Sequence, residues 1–396
     1  MKKKTILLAS CLLGTFAFSS CEKNLYDESK QPEKEIQVKD LNVPANFLWE
    51  TSKDAKCQIA STTTSLVSVF MDSDCKQFLF TVNIDPAAPS LPLMIPDYLE
   101  KVYLKYETTS GDNKVVEAAV NNGAINFTLP SNAKPSLDPV ITRGKGDYTP
   151  QPGSGNNVLE YPSGYGTVMF EDMYPTLGDY DFNDFVAWYK YQLQDFYHKQ
   201  GEWYTEVMQI GFQIRAIGGV YDYSPYINLS GVKYDDIDEI EFQEAGDGVE
   251  LIKGPNGEAI LAYKNPAKPA GSKYFNTELD HLTDPGKQTS IYIYFKKAMN
   301  LSKLQDNQVD IYLAKPNHGT EIHLKGYKGI YPSSKNAQYS DKDNFVWGLK
   351  APAALRHAIE GTNFLKAYPK FQEWVEGKDN KQWWLNPTSE YLIPLN

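Results

Sequence analysis

Residues 208–216 read MQIGFQIRA. An apolar side chain occupies every second position of this stretch, and glutamine, glycine or arginine stands between the apolar ones. Successive side chains of a β-strand point to opposite sides of the sheet. The alternation therefore predicts a strand with one buried and one solvent-facing side, within a longer strand that we expect over residues 203–217.

The same period of two recurs on both sides of this strand. Upstream, residues 101–107 read KVYLKYE, and the turn sequences SGDN at 110–113 and NNG at 121–123 separate short apolar runs. Closely spaced short strands with such turns are typical of a β-sandwich. We therefore predict an N-terminal β-sandwich domain over residues 41–130, with strands at 65–71, 77–83, 101–107, 114–119 and 124–129.

A larger β-rich domain is predicted over residues 159–396, with short helices only near its C-terminal end, at 364–368 and 369–375. Residues 131–158 are rich in proline, glycine, serine and asparagine, which is typical of a linker. The strands expected in the larger domain cover residues 166–172, 185–193, 203–217, 237–242, 260–263, 290–295 and 309–313. The fold class is therefore mainly β.

Composition supports this class and excludes one kind of partner. The 396 residues include 27 tyrosines, 18 phenylalanines and 7 tryptophans, and aromatic side chains favour half-buried strands. The formal net charge is −11. A protein of this charge repels the phosphate backbone, so we expect no nucleic-acid partner.

The first 21 residues have the layout of an export sequence. Three lysines follow Met1, an apolar run spans residues 6–18, and small residues precede Cys21. This layout predicts a signal peptide over residues 1–20, because the apolar run is too short to span a bilayer. The cysteine at its end resembles the lipobox of bacterial lipoproteins, and the motif around Cys11 leaves almost no apolar region before a cut.

The lipobox resemblance implies that a fatty acyl group such as palmitate is attached to Cys21 and that the chain is cut before it. The membrane partner would then be reached through this lipid. The polar residues 21–40 would form a flexible tether. We expect an outer-membrane lipoprotein on the periplasmic or the cell-surface side.

Two cysteines remain in the predicted body, Cys57 and Cys75. Outside the cytoplasm they could form a disulfide. Two buried thiols are an equal alternative, because the sequence does not give the distance between them.

The most unusual run is GDYDFND at residues 178–184, which follows FED at 170–172. Carboxylates packed this closely repel one another unless a cation offsets their charge. Ca²⁺ takes six to eight oxygen ligands in flexible geometry, and Mg²⁺ fits less well because it usually keeps its water. We therefore predict a structural Ca²⁺ site whose ligands come from Asp179, Asp181, Asp184, Glu171, Asp172 and Asn183.

The spacing of Asp179, Asp181 and Asn183 matches the start of an EF-hand loop. The match then fails, because Asp184 stands where that loop requires glycine and Lys190 where it requires glutamate. We therefore predict a calcium-binding loop between two strands and not an EF-hand. The alternative is a turn in which the Asp and Asn side chains bond to nearby backbone amides without a metal.

At these residues the chain resembles the LruC domain, whose members are mostly bacterial surface or outer-membrane lipoproteins. The resemblance covers about residues 160–390 and implies architecture and location, but no activity. The stretches that carry it, in order, are GTVMFED at 166–172, GDYDFNDFV at 178–186, IRAIGG at 214–219, FNTE at 275–278, EIHLKGY at 321–327, IEG at 359–361 and AYPKFQEW at 367–374.

Two further groups have a functional and a structural interpretation. Glu321 and His323 share one side of a strand, so with His318 they could bind Zn²⁺, but a strand pair that fixes the sheet is the stronger interpretation. The tryptophans near the C-terminus could form a binding platform, but packing of the tail onto the sheet is favoured. They are Trp374, Trp383 and Trp384.

Together these patterns predict a non-enzymatic surface lipoprotein that acts in binding, adhesion or envelope assembly. One alternative is a glycan-binding component of a polysaccharide-uptake system, with exposed tyrosine and tryptophan side chains. A weaker alternative is a hydrolase that uses the acidic loop. The partner itself, glycan or protein, is left open.

Overall fold

The long strand predicted around residues 208–216 is present in the computed structural model, which describes residues 35–136, 157–244, 248–378 and 380–394. Met208, Ile210 and Phe212 are buried on one side, as the alternation requires. The strands are β1 Ser52–Ala60, β2 Ser65–Phe70, β3 Phe78–Ile84, β4 Leu91–Pro96, β5 Lys101–Glu107, β6 Asn113–Asn121, β7 Ala124–Thr128, β8 Val158–Phe170, β9 Phe185–Gln194, β10 Tyr197–Lys199, β11 Glu202–Ala216, β12 Ser224–Lys233, β13 Ile237–Glu244, β14 Val249–Lys253, β15 Glu258–Tyr263, β16 Thr289–Asn300, β17 Val309–Ala314, β18 Glu321–Ile322 and β19 Gly348–Ala351.

Two short α-helices lie near the C-terminal end, α1 Phe364–Ala367 and α2 Phe371–Val375. The predicted mainly-β fold with short C-terminal helices is therefore confirmed. None of the helices within the described residues is both long enough and apolar enough to cross a membrane.

The strands form two sheets. The larger one follows the order β13-β16-β11-β9-β8-β3-β2-β5-β6-β7-β1-β4, with β10 paired to β11 and β19 paired to β8. The smaller one follows the order β14-β15-β12-β17-β18. Most neighbours are antiparallel, but β1 runs parallel to β7. The sequence did not predict β1 or β4; β4 lies at the end of the path, where Pro92 and Pro96 are tolerated because an edge strand has a free side.

Strands from both predicted domains join in the larger sheet. The contact is the pair β3 and β8, where Phe80 lies opposite Leu159 and Thr81 opposite Val158. Residues 37–396 also group as one compact unit. The division into a domain at 41–130 and another at 159–396 stays a prediction, and most of the linker between them, residues 137–156, lies outside the described residues.

A second core, rich in aromatic side chains, is separate from the main sheet core, and we call it the aromatic core. It brings the N-terminal Trp49 together with Phe182 and with Phe371, Trp374 and Trp383 from the C-terminal end. We call residues 355–394 the C-terminal cap; residue 379 within it is not described.

The structure shortens the predicted tether. Val38–Asp40 form a turn of 3₁₀-helix, and Val38 and Leu41 are buried in the aromatic core. The predicted tether, residues 21–40, is therefore too long at its C-terminal end, because Val38 is already buried. The predicted signal peptide at 1–20 and the lipidation site Cys21 lie outside the described residues.

Cys57 and Cys75 are both free thiols. Cys57 is buried on β1, and burial raises the pKa of its thiol to about 12. Cys75 is partly exposed in a turn, where it has a φ of 57°. The structure therefore contains no disulfide between them, and only one of the two thiols is buried.

Candidate metal centre

The acidic run forms a loop between two paired strands. β8 ends at Phe170 and β9 begins at Phe185, and these two residues lie directly opposite each other. Residues 171–184 are therefore closed into a loop at their base. The backbone N–H of Asp172 donates to Asp184 Oδ2 at 2.8 Å, which ties the two ends of the loop together.

The aromatic side chains of this loop are part of the protein core. Tyr180 and Phe182 are almost fully buried, and the Phe182 ring packs edge-on against Phe364 at 5.2 Å between ring centroids. Both residues have a left-handed backbone, with φ of 60° and 52°. Such a conformation costs a bulky residue about 1–3 kcal/mol, so the surrounding contacts must hold the loop in place.

Glu171 organises the loop from its centre. Its side chain is fully buried. One carboxylate oxygen accepts the N–H of Tyr180 at 3.0 Å and the other accepts the N–H of Phe182 at 2.7 Å. Burial, followed by repulsion from Asp184, raises the pKa of Glu171 well above its ordinary value. Glu171 therefore caps backbone N–H groups of the loop, a role that the sequence analysis considered for the Asp and Asn side chains.

Asp181 joins the loop to the C-terminal cap. Its Oδ2 accepts the N–H of Gly361 and the side-chain amide of Asn183, both at 2.8 Å. Burial, and next the negative charge of Asp179, raises the pKa of Asp181 to about 9.

Asp184 and Asp172 lie at the base of the loop. Burial, with repulsion by Asp172 as the next cause, raises the pKa of Asp184 to about 8. Asp172 turns towards another segment, because its Oδ2 accepts the N–H of Tyr221 at 2.8 Å. Burial also raises the pKa of Asp172. Asp172 therefore lies at the edge of the acidic group.

Three of the predicted ligands converge on one point. Glu171, Asp179 and Asp181 each offer one carboxylate oxygen, and these oxygens lie within 4.8 Å of one another. Glu171 and Asp181 are buried and Asp179 is exposed. The geometry thus brings together residues from the end of β8 and from the middle of the loop.

Two further oxygens, from Asn183 and Glu360, lie beside Gly218. Among the described residues, Asn183 Oδ1 and Glu360 Oε2 are buried atoms without a hydrogen-bond partner. Both face Gly218, where an added Cβ would lie 2.4 Å from Asn183 Oδ1 and 2.7 Å from Glu360 Oε2. Only a glycine leaves room for both oxygens at this point.

The sequence analysis gave Asn183 as the last of its six predicted ligands and did not predict Glu360. Burial, with the charge of Asp179 adding to it, raises the pKa of Glu360 to about 7. The motif IEG at 359–361 contains Glu360, and the GG pair at 218–219 marks the space it occupies. Both motifs can be seen in the sequence, but neither lies near the acidic run along the chain.

The donor set suits a hard cation. All of these atoms are carboxylate or amide oxygens, the ligands that Ca²⁺ prefers. Two oxygens on opposite sides of a Ca²⁺ are about 5 Å apart, since each Ca²⁺–oxygen bond is about 2.3–2.6 Å long. The spacing within 4.8 Å of the three converging carboxylate oxygens is compatible with this limit.

A cavity lies away from the acidic loop. It has a volume of about 300 Å³, and Trp49, Asp54, Lys325, Tyr327 and Lys350 contribute to its lining. None of the residues of the acidic group lines it. The hydrolase alternative requires the acidic residues in a pocket, and this cavity does not supply one.

His323 is part of a buried hydrogen-bonded group. Its Nδ1 lies 2.8 Å from Asp310 Oδ2 and its Nε2 lies 3.2 Å from Glu321 Oε2. The two oxygens of Glu321 also accept the N–H groups of Ile330 and Tyr331. This arrangement fixes the end of the smaller sheet, as the strand-pair interpretation predicted.

His318 stands apart from that group. Its ring stacks on Tyr331 at 3.7 Å between centroids, with 4° between the planes.

A second acidic group, Glu278, Asp280 and His281, offers three ligand atoms within 4.8 Å of one another. His281 Nδ1 lies 3.0 Å from Asp280 Oδ1, and Asp280 is exposed.

The C-terminal tryptophans form no exposed platform. Trp374, Trp383 and Trp384 are 5%, 1% and 7% exposed, and Trp383 lies in contact with Phe371 and Tyr368. Packing of the tail, the favoured interpretation, is therefore correct.

Comparison with known proteins gives two similarities. Residues 206–384 match the family described as "Domain of unknown function (DUF4842)". A crystal structure of a protein from Bacteroides ovatus, described as a "putative lipoprotein", is similar with a TM-score of 0.64 and 21% sequence identity, over 84% of this chain and 100% of that chain. No curated protein matches the chain significantly. The chain therefore contains a segment similar to DUF4842, within a fold that it shares with the Bacteroides ovatus protein.

Proposed function

We propose that this protein is a lipoprotein of the LruC type, anchored to the outer membrane through a lipid on Cys21. Its body carries a structural Ca²⁺ centre in the loop of residues 171–184. It acts in binding, adhesion or envelope assembly rather than in catalysis.

The calcium proposal rests on the converging carboxylate oxygens of the loop. Oxygens of Glu171, Asp179 and Asp181 lie within 4.8 Å of one another, and the buried Asn183 Oδ1 has no hydrogen-bond partner among the described residues. A cation at this point would satisfy the amide oxygen and offset the repulsion between the carboxylates.

The anchor is supported by the layout of residues 1–21 and by the fold shared with the protein from Bacteroides ovatus that is described as a "putative lipoprotein". Cys21→Ser should abolish acylation and release the protein from the membrane fraction. Cys11→Ser is the matched control and should leave acylation unchanged. Equal acylation of wild type and Cys21→Ser, measured by mass spectrometry of the N-terminal peptide, would contradict the anchor.

The calcium centre is tested on the full-length protein in detergent. After treatment with EDTA, titration calorimetry should show one Ca²⁺ bound per chain, and Ca²⁺ should raise the melting temperature. Asp181→Asn, which removes one charge at nearly constant shape, should weaken both effects.

Asp222→Asn is the charge-matched control, since Asp222 is exposed on a neighbouring segment and is not among the converging ligands. It should bind Ca²⁺ like the wild type. If the EDTA-treated wild type shows neither binding nor a shift of the melting temperature, the acidic loop is only a hydrogen-bonded turn.

The glycan-binding alternative has little support on the surface. Six of the seven tryptophans are buried and Trp188 is half-buried, and the exposed large aromatic side chains among the described residues are Tyr221 and Phe242. These two lie on different segments, before β12 and in β13. They do not offer the row of exposed rings that a sugar-stacking surface requires.

A further inference from the structure

We infer that the cation is shared between the acidic loop and the C-terminal cap, with Asn183 Oδ1 and Glu360 Oε2 as two of its ligands. The ion would then act as a clasp that holds residues 355–394 on the rest of the protein. This inference rests on the proposed Ca²⁺ centre and adds to it a ligand from a distant part of the chain.

Two oxygen atoms that both act as hydrogen-bond acceptors lie beside the same glycine. Asn183 Oδ1 and Glu360 Oε2 both lie beside Gly218, and the buried Asn183 Oδ1 has no hydrogen-bond partner in the described part of the chain. Two acceptors that face each other without a donor repel. A cation between them turns this repulsion into attraction of both oxygens to one centre.

The orientation of the Asn183 amide supports this assignment. Its Nδ2 donates to Asp181 Oδ2 at 2.8 Å and to the carbonyl of Ala358 at 3.3 Å. The nitrogen is thereby committed to two acceptors, and the oxygen must point the other way, towards Glu360. Asn183 is fully buried, so its oxygen has no access to bulk water.

The segment that carries Glu360 also holds the end of the chain. Ala358 forms a β-bridge with Leu392, and the N–H of Ile359 donates to the carbonyl of Tyr391 at 3.0 Å. The N–H of Ile393 donates to the carbonyl of His357 at 3.0 Å. An ion bound to Glu360 therefore acts on the whole cap and not on one side chain.

The loop and the cap meet on the apolar side as well. The Phe182 ring contacts Phe364 and lies 6.1 Å from Phe371, measured between ring centroids. Since Phe182 lies between Asp181 and Asn183 in the chain, a shift of these two polar side chains would move the ring. Release of the cation should thus loosen the aromatic packing of the cap.

The test compares hydrogen–deuterium exchange of the full-length protein with Ca²⁺ and with EDTA. Removal of Ca²⁺ should raise the exchange rate in peptides from residues 355–394 by about tenfold or more, while peptides from β2 and β3 stay unchanged and report that the fold is intact. Glu360→Gln should bind Ca²⁺ at least about tenfold more weakly, because a ligand charge is lost.

Gly218→Ala probes the same point without a change of charge. Its Cβ would fill the space between the two oxygens, so Ca²⁺ affinity should fall by at least about tenfold. Gly319→Ala is the matched control, because a Cβ there meets only ordinary contacts at 3.6 and 3.7 Å. This variant should bind Ca²⁺ like the wild type.

The outcomes separate the two proposals. If Ca²⁺ binds with unchanged affinity in Glu360→Gln, or if exchange in the cap does not respond to Ca²⁺, the clasp is wrong and the calcium loop stands. If the wild type binds no Ca²⁺, both fall. Weaker binding in Glu360→Gln and Gly218→Ala together with faster exchange in the cap supports the clasp.

Discussion

Replacement of His323 by glutamine should remove a stabilising contribution that is present at neutral pH and absent at high pH. The imidazole of His323 is fully buried, and its two nitrogens contact Asp310 and Glu321. Burial by itself lowers the pKa of His323, but attraction by Asp310 and the hydrogen bonds to both carboxylates outweigh it and raise the pKa to about 9.

The sign and size of the effect follow from this shift. An unfolded chain has a histidine pKa of about 6.5, so the folded protein binds the proton more tightly. The stabilisation is complete below about pH 6.5 and is lost as the pH rises through about 9. The difference between a folded pKa of about 9 and an unfolded pKa of about 6.5 corresponds to about 3 kcal/mol of unfolding free energy.

Urea denaturation followed by tryptophan fluorescence measures this quantity. The difference in unfolding free energy between wild type and His323→Gln should shrink by about 3 kcal/mol from pH 6 to pH 10. The subtraction cancels the titration of groups that do not interact with His323. His318→Gln is the control, since burial lowers the pKa of His318 and its difference from wild type should stay constant above pH 7. A difference for His323→Gln that is the same at pH 6 and pH 10 would refute a charged His323 in the folded state.

Two more predictions use other buried groups. In native protein a disulfide reagent should label Cys75 and leave Cys57 unmodified until denaturant is added, because burial raises the pKa of the Cys57 thiol to about 12; labelling of both thiols at equal rates would contradict this. Lys350→Met should cost about 3–5 kcal/mol, because it leaves the buried Asp306, now 2.7 Å from the ammonium, without its partner. Lys253→Met breaks an exposed pair and should cost less than about 1 kcal/mol in the same denaturation experiment, and equal losses would argue against burial as the cause.

Part of the acidic loop could be predicted from the sequence pattern alone. Asp179, Asp181 and Asn183 lie close together in the chain, so their meeting could be predicted from spacing alone. Glu171 could be proposed because it lies at the end of a predicted strand, at residues 166–172, that precedes the loop. The structure adds that Glu171 also caps the loop, which a list of carboxylates does not reveal.

Glu360 and Gly218 could not be predicted in the same way. They come from segments far from the loop in the chain, and Glu360 is one of 50 acidic residues. Its motif IEG at 359–361 is part of the LruC resemblance, but it does not indicate which loop the glutamate faces. Only the packing of the C-terminal cap brings its oxygen beside Asn183.

The sequence by itself determined many of the strands, the short C-terminal helices and the acidic run, because periodicity and local clustering are properties of neighbouring residues. The tertiary structure alone decided which strands pair, that β3 joins β8, and that the buried end of the tether begins at Val38. It also decided which oxygens converge on the loop. These features depend on contacts between distant segments, and the free energy of such contacts is fixed only when the whole core has formed.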